Sequence, residues 1–598
     1  MIDDKTKARF RLPRLRPAIR RSREAMQLQI DRKNNHFREY LGSYYTAQST
    51  PKGRKIPVNT LALTVHVLTA NTVSRNPAVK ATTMYPQLRS RAKAAETVTQ
   101  KFVETINYEK LLRKITKSSF FSLGIRKMGL ELAGDNQAIT GSRYAPFYSQ
   151  VHLSNFIVDM FSGDWENATF MGDMWRMNLE DATGKKSPFD PDEKKKLRAD
   201  KYGEEFDTRA SDARNFAGDT PGFDAEYYDS CILADIWLPR EHALITIPMS
   251  ANSRDDEETI LRVIDWDGPQ NGPYEKLAFY EVEENVLPLP PVSLWRDLHE
   301  LTNDIFNKIA KQIAASKTVI GHGPGARADA YSVKKADELE VIELNHPDLL
   351  RTYQFGGVDG ASLAAFLQVK QLALQMPGNI ETLGGLRPQA ETLGQEVLMN
   401  QNAGAQVGDM TGQVYNFARK DMRDFVYYLW NFIEKPVPYT RTVTGLPTPV
   451  TGEFFPDPEL EKLLDYEIDV VPYSMAPETP QAQLQKLMAF FQTIFPAIAQ
   501  GLAASGAALN PSEVVELFAD YAQLPELRNV IQQVQTSAAM QAPPGSLPES
   551  SSSPKAGGPQ RTYTHRHIGS GANSETAEMQ QMNSLLKQGG RANAPQGR

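Results

Sequence analysis

One helical pattern of unusual length constrains the fold of this 598-residue chain more than any other feature. It starts at Pro388 and continues to Phe432 and Ile433, and its apolar residues recur at three- and four-residue steps. Roughly 45 residues at 1.5 Å each give a helix about 70 Å long, which exceeds the width of one compact domain. Its middle, MNQNAGAQVGDMTG, is polar and rich in glycine, so we predict that this part bends or faces another subunit.

Length and composition narrow the class of protein. The chain exceeds what one hydrophobic core supports, so several subdomains are expected. Its 41% hydrophobic and 23% charged residues are typical of a folded soluble protein, and no run reaches the roughly 18 to 20 apolar residues of a membrane span. A net charge of −6 argues against a protein that coats nucleic acid with its whole surface, so any DNA contact is predicted to be regional. The single cysteine, Cys231, is predicted to be buried and cannot form an internal disulfide.

Sequence motifs of catalysis are missing. The phosphate-binding pattern GxxxxGK[ST] does not occur, and GHGPG at Gly321 to Gly325 is interpreted as a turn. HExxH is also absent, and His565 and His567 lie in the C-terminal tail. No local pair of acidic residues suggests a catalytic dyad, although residues distant in sequence could still form one. We therefore predict a protein that is not an enzyme and that has no metal or cofactor.

The first half of the chain contains a basic segment and then a mixed region. Residues 1–55 form a basic N-terminal arm with a helix leading into the next region. We interpret the arm as flexible, with arginines that meet phosphates or a neighbouring acidic surface, or that are simply solvated. Residues 56–292 combine helices, one of them predicted from Gln87 to Phe121, with short β-type runs.

Two amphipathic helices then flank a small tip. Residues 293–318 form the first helix, whose apolar stripe consists of Leu294, Leu298, Leu301, Ile305, Ile309 and Ile313. The tip, residues 319–345, is predicted to contain two β-like runs, Ala330 to Val333 and Leu339 to Leu344. Residues 346–377 hold the returning helix, which Pro377 and Gly378 end.

The second half continues with four further regions. They are a glycine-rich loop at 378–388, the long helix at 389–435, a β excursion at 436–476 and a helical set at 477–536. Residues 537–598 are dominated by Ser, Pro, Gly and Gln and are predicted to be a disordered tail.

This order of parts resembles the portal, or head-tail connector, proteins of tailed double-stranded DNA bacteriophages. Two stretches carry a local likeness: RPQAETLGQEV at the start of the long helix, and IDVVPYSM before a Gln- and Leu-rich helix. The resemblance covers about Pro57 to Val534 and depends on order and lengths, not on one invariant motif. It implies an α+β, mainly helical fold with a wing (56–292), a stem of two helices (293–318 and 346–377), a clip (319–345), a tunnel loop (378–388), a spine helix (389–435) and a crown (477–536). The small clip and the tail depart from the family, so no long barrel above the crown is expected.

The resemblance also implies a function. Portal proteins form a ring, usually of twelve subunits, at one capsid vertex, where DNA enters during packaging and leaves during ejection and where the tail attaches. The implied partners are other copies of this chain, double-stranded DNA bound without sequence preference, the terminase motor that would supply the ATPase, tail adaptor proteins, and major capsid and scaffold proteins. The implied location is the virion, with the host cytoplasm during assembly.

Ring symmetry would repeat each stem side chain around a central channel, so one lysine would become a belt of charge. The candidate channel or DNA-facing residues are Lys308, Lys311, Lys317, Lys370 and Arg387. The candidate tunnel-loop residues are Gly378, Asn379, Gly384 and Gly385, and the candidate clip residues for partner binding are His322, Arg327, Tyr331, Lys334 and Lys335. Solvated lysines and a plain interhelical loop are the alternatives. The channel hypothesis also requires that Ile305, Ile309 and Leu367 are not enclosed together in a self-contained bundle.

Two other functions stay open at this point. The first is a structural adaptor or scaffold of a large assembly without a channel. The second is a metal-dependent enzyme acting on nucleic acid, with carboxylates brought together by the fold.

Overall fold

The fold mixes α-helices with short antiparallel sheets, and helix is the more abundant of the two, as the α+β prediction requires. The computed structural model describes residues 4–42, 58–132, 141–199, 229–249, 258–337, 340–378, 380–384, 393–441, 450–457, 462–471 and 474–475. All of these residues belong to one unit, Met1–Ser537. The predicted crown at 477–536 and tail at 537–598 lie outside the described residues.

The helices of the described residues are α1 (Asp4–Phe10), α2 (Leu12–Leu41), α3 (Thr60–Thr72), α4 (Arg89–Thr105), α5 (Tyr108–Phe121), α6 (Leu179–Thr183), α7 (Pro291–Ala315), α8 (Arg327–Lys335), α9 (Gly360–Gln375), α10 (Ile380–Leu383) and α11 (Leu393–Asn431). Among them, none combines the length and the apolar character that crossing a membrane requires.

The strands are β1 (Val79–Thr83), β2 (Gly124–Leu132), β3 (Tyr144–Val151), β4 (Phe156–Val158), β5 (Met171–Asn178), β6 (Ser230–Leu238), β7 (Ala243–Pro248), β8 (Arg262–Asp265), β9 (Tyr274–Leu277), β10 (Lys317–His322), β11 (Leu350–Phe355), β12 (Val437–Arg441), β13 (Val450–Phe454) and β14 (Tyr466–Val470). They form a five-stranded sheet in the order β4-β5-β6-β7-β8, a three-stranded sheet in the order β3-β2-β9, and three two-stranded pairs, β1-β14, β10-β11 and β12-β13. Every pairing is antiparallel. Cys231, on β6, is buried as predicted.

The N-terminal segment is helical and packed, which corrects the prediction of a flexible arm. Leu12, Leu15 and Ile19 of α2 are buried in a hydrophobic cluster with Ile236 and Ile245 of the five-stranded sheet. These three leucine and isoleucine side chains follow helical spacing, so they form one face that the sheet covers. Two basic side chains are also paired within the chain, since Lys7 contacts Glu193 at 2.7 Å and Arg9 contacts Asp265 at 3.1 Å.

The predicted helix from Gln87 to Phe121 is in fact two helices, α4 and α5. They are separated at Ile106 and Asn107, and Asn107 has a φ of +52°, in the left-handed region. Asparagine tolerates that conformation better than most residues, which explains why the chain turns there. After the break, five apolar residues of α5 are buried in the largest hydrophobic cluster: Tyr108, Leu112, Ile115, Phe120 and Phe121.

The longest helix, α11, runs through the largest hydrophobic cluster. Its 39 residues correspond to about 58 Å, while the first part of the predicted spine helix, residues 389–392, lies outside the described residues. Val414, Ala418, Met422 and Phe425 are fully buried against α4, α5 and β14. At Gly408 and Gly412 no atom of the described residues lies within 4 Å of the place where a Cβ would be, so the described part of the chain leaves α11 uncovered at these two positions.

Two adjacent residues of β2, Arg126 and Lys127, form buried ion pairs with α11 and with the five-stranded sheet. The Arg126 guanidinium donates to Asp421 Oδ1 at 2.9 Å and to Asp424, both on α11, while the hydroxyls of Tyr108 and Tyr148 also donate to Asp421. On the opposite face of β2, the Lys127 ammonium donates to Asp173 at 2.6 Å and to Asp235 at 2.7 Å on the five-stranded sheet. Because neighbouring strand residues point to opposite faces, β2 links α11 on one side to the larger sheet on the other. The base of the helical hairpin described next packs on α2, α3 and α5.

Candidate functional site

The predicted stem corresponds to a helical hairpin made of α7, the β10-β11 ribbon, α8 and α9. The two long helices run antiparallel: the Phe306 and Phe366 rings are 5.5 Å apart, and Asp359 N lies 3.5 Å from Gln312 Oε1 near the ribbon. Pro291 starts α7, where a missing backbone N–H has no cost. Asp359 caps α9 by accepting from Ala361 N at 3.2 Å. Local sequence therefore fixes where both helices begin.

The base of the hairpin is anchored in the main core. Val292 and Trp295 are buried in the largest cluster. One turn further, Asn303 Oδ1 accepts from Val58 N at 2.6 Å, and the His299 ring lies 2.9 Å from the Thr60 hydroxyl. Burial lowers the pKa of His299 to about 4, so this histidine is neutral at pH 7. The hydrogen bonds of His299 and Asn303 thus join neutral groups, and the buried Glu39 carboxylate lies 3.8 Å from His299 Nε2.

Beyond its base, the hairpin leaves many large apolar side chains in solvent. No described residue between 296 and 373 belongs to any of the hydrophobic clusters. Leu367 is 56% exposed and Ile313 is 58% exposed, although both lie on amphipathic helices. The other large apolar residues exposed on the hairpin are Leu301, Val319, Tyr331, Val341, Leu349, Tyr353, Phe355, Val358, Leu363, Leu372 and Met376. Of the three residues that the channel hypothesis concerns, Ile309 is buried, Ile305 is half-buried and Leu367 is exposed, so a single chain does not enclose them together.

The candidate cations lie at three levels of the hairpin. Lys308 and Lys311 are three residues apart on the solvent-facing side of α7, so the structure brings these two together. Lys317 is exposed at the first position of β10, opposite Phe355. Lys370 is half-buried on α9, one turn beyond Phe366, on the side of that helix that faces α7. Arg387 lies outside the described residues.

The candidate clip residues are all exposed, but the element that carries most of them is a helix. Arg327, Tyr331, Lys334 and Lys335 belong to α8, and His322 ends β10. The Arg327 guanidinium lies 5.9 Å from the centre of the Tyr331 ring. Arg327, Tyr331 and Lys335 therefore follow one another at four-residue steps on one face of α8.

Two β-like runs predicted for the tip are wrong. Residues 330–333 lie in α8, and the described residues from 340 to 344 form no strand. The actual strands, β10 and β11, flank that region and pair in register from Lys317 with Phe355 to His322 with Leu350. Alanines, an acidic first turn and two lysines in the last turn favour the helix over the β-propensity of Tyr331 and Val333.

Asp329 is a structural residue of the tip that the sequence did not reveal. It is buried and accepts from His346 N at 2.7 Å, and this backbone N–H lowers the pKa of the Asp329 carboxyl. The contact ties α8 to the segment before β11. The sequence signal for this role was one acidic residue in a helix that is otherwise basic and exposed. The sequence did not indicate that the backbone N–H of His346 would be its hydrogen-bond partner.

The start of the predicted tunnel loop is folded into the core. Gly378 is buried with a φ of +104°, a conformation that favours glycine, and α10 follows at once. Ile380 of α10 is fully buried in the main cluster, whereas Gly384 is exposed. Asn379 and Gly385 lie outside the described residues. The described part of 378–388 is therefore a packed turn and a short helix.

The fold does bring carboxylates together, as the enzyme hypothesis required. Asp173 and Asp235 are cross-strand partners on β5 and β6, and both contact Lys127. Burial raises the pKa of Asp173, whereas for Asp235 burial is outweighed by the Lys127 ammonium, which lowers its pKa. Both carboxylates are buried and hydrogen-bonded, and among the described residues no group of three or more His, Cys, Asp or Glu side chains could hold a metal ion. We interpret this pair as a structural link between sheets.

No protein-family model matches the chain, and no curated protein is significantly similar to it in sequence.

Proposed function

We propose that this protein is a portal protein of a tailed double-stranded DNA bacteriophage, which forms a ring around a DNA channel at one capsid vertex. The observation that carries the proposal is the helical hairpin with an anchored base and an uncovered apolar surface. The order helix, ribbon, helix, short core-packed turn and long helix adds support, because it matches the stem, clip and spine of the resemblance.

The exposed apolar surface supports self-association. Soluble monomers rarely leave contiguous apolar patches of more than a few hundred Å² in water. Here Leu363 and Leu367 are exposed one helical turn apart on α9. Val319, Tyr353 and Phe355 are exposed on the ribbon, where Val319 is the cross-strand partner of Tyr353. A second copy of the same hairpin offers a surface of matching length and composition. If each hairpin packs head-to-tail on the next, the contact is heterologous, and it closes into a ring when the rotation between copies divides a full turn evenly.

Ring closure would also place the basic residues of α7 where they could contact DNA. Lys308 and Lys311 lie on a solvent-facing side of α7, and twelve copies would repeat them as a belt. Lysine contacts to phosphates are not sequence-specific and weaken with salt, which suits a channel through which DNA slides.

The test is the mass of the purified full-length chain in solution, measured by light scattering over a range of salt and protein concentrations. The proposal predicts a discrete species of about twelve subunits, the number usual in the portal family. Monomers under every condition would overturn it. A discrete closed assembly that fails to admit duplex DNA would instead support the adaptor or scaffold hypothesis.

A further inference from the structure

Away from the hairpin, a groove between α3 and α5 concentrates positive charge. It has a volume of about 360 Å³ and is lined by Val65, His66 and Thr69 of α3, and by Glu109, Lys110, Arg113, Lys114 and Lys117 of α5. Four basic side chains thus meet one acidic side chain. In a chain with a net charge of −6, this local excess is opposite in sign to the whole.

The spacing of the four cations follows from the way α5 packs. Tyr108, Leu112, Ile115 and Phe120 are fully buried on one face. Positions 110, 113, 114 and 117 fall on the other face at three- and four-residue steps, so the core contacts hold the basic residues in one row. The four basic residues therefore lie on a helix that is packed on the core and not on a loop.

Only part of this charge is compensated within the described chain. Arg113 contacts Glu109 at 3.2 Å, and the Lys117 ammonium lies 4.5 Å from the centre of the Tyr40 ring. Lys110 and Lys114 are exposed and have no ion pair among the described residues. The groove therefore holds two cations that can accept an external anion.

We propose that this α3-α5 groove binds the phosphate backbone of duplex DNA. From 110 to 117 the row extends about 10 Å along the helix axis, which is longer than a single phosphate and corresponds to about three base-pair steps of 3.4 Å. Lysine side chains act as point charges and carry no base readout, so the contact is independent of sequence. This inference rests on the proposed function in one respect, since that function is the reason for choosing DNA as the polyanion. The DNA contact that it adds lies outside the stem.

The experiment measures binding of a fluorescent 30-base-pair duplex to the full-length chain by anisotropy at several salt concentrations. The test variant is Lys110→Gln with Lys114→Gln. The matched control is Lys185→Gln with Lys186→Gln, which removes two exposed lysines elsewhere. We expect the test variant to lose about tenfold or more in affinity, and the slope of log K against log salt to fall by about 2, since each phosphate contact contributes about 0.9. The control keeps the affinity and slope of the wild type.

Three results would overturn the inference. One is unchanged duplex binding in the test variant, or no binding by the wild type. Another is displacement of the duplex by inorganic tripolyphosphate at equal charge concentration, which would assign the groove to a small polyphosphate. The third is loss of assembly mass in the test variant alone, which would mean that the groove holds an acidic surface of a second copy. Failure of the wild type to assemble contradicts the proposed function but not the groove, so the two failures are distinguishable.

Discussion

At the residue scale, Arg126 shows how the fold places charge inside the protein. Its side chain is 2% exposed and is held between Asp421 and Asp424 of α11. Nearby carboxylates raise the pKa of Arg126 although burial opposes this, so the guanidinium stays charged. A buried ion pair stabilises the fold only while both partners are present, because either charge left alone in the interior is costly.

Replacing Arg126 by Met is expected to destabilise the protein by about 3–5 kcal/mol, since it leaves two carboxylates without their cation. The measurement is the free energy of unfolding in urea, followed by tryptophan fluorescence. Arg113→Met is the matched control, because it breaks an exposed pair with Glu109 that contributes about 0–1 kcal/mol. Equal losses in the two variants would contradict the structural role of Arg126.

His299 makes the hairpin anchor sensitive to acid. Its pKa is about 4 in the folded protein because it is buried, against about 6.5 in the unfolded chain. The unfolded chain therefore binds the proton first as the pH falls, and stability decreases from pH 6.5 to pH 4. The expected loss is up to about 3 kcal/mol, at 1.36 kcal/mol per pKa unit.

In the variant His299→Gln, the free energy of unfolding should fall less steeply between pH 6.5 and pH 4 than in the wild type. Thr60→Val is the control, because it removes the hydroxyl 2.9 Å from the ring but no titrating group. It should lower stability while keeping the wild-type slope. Identical slopes in His299→Gln and the wild type would rule out a buried neutral histidine.

At the scale of elements, the hairpin is rigid at its base and uncovered along its length. The uncovered part is assigned to contacts between copies, so substitutions there are expected to affect assembly and not folding. Leu363 and Leu367 are the most useful pair, because they are one helical turn apart on α9 and both are exposed.

The double variant Leu363→Gln with Leu367→Gln should keep the melting temperature of the wild-type subunit in low-concentration, monomeric conditions but lose the large assembly. Light scattering and circular dichroism measure the two properties. Met84→Gln with Leu132→Gln removes two apolar residues that are even more exposed but lie outside the hairpin, and this variant should still assemble. Assembly of the test variant at wild-type concentration would contradict the assignment of this face.

Much of this element structure follows from sequence periodicity, and the failures have specific causes. The apolar stripe from Leu294 to Ile313 predicted α7, and Pro377-Gly378 predicted the end of α9. The strand β10 was missed because its residues were divided between the first stem helix and the GHGPG turn, and β11 was missed because it lies in the region assigned to the returning helix. In the N-terminal segment, dense arginines obscured the helical spacing of Leu12, Leu15 and Ile19.

The candidate site was only partly predictable, because contacts between distant residues leave no mark in a single sequence. The exposed lysines of α7 could be named from helical spacing. The α3-α5 groove could not be predicted from the sequence. It depends on the break at Asn107, after which α5 lies beside α3. The buried pairs of Arg126 and Lys127 join residues about 50 to 300 positions apart, and only the folded chain brings them into contact.

At the scale of the whole molecule, the central claim is that the hairpins of neighbouring copies form the wall of a channel. One arrangement would then account for three features: the uncovered apolar surface of α9 and the ribbon, the exposed lysines of α7, and the long helix α11. In the proposed ring, repetition by symmetry would cover the apolar surface, direct the lysines towards an axis and place a neighbouring copy beside α11.

Electron microscopy of the purified full-length protein tests this claim most directly. We expect closed rings with an axial hole that admits duplex DNA, with Leu367 at the contact between copies and Lys308 facing the hole. Isolated subunits in every buffer, or rings whose hairpins point away from the axis and leave Leu367 in solvent, would contradict it.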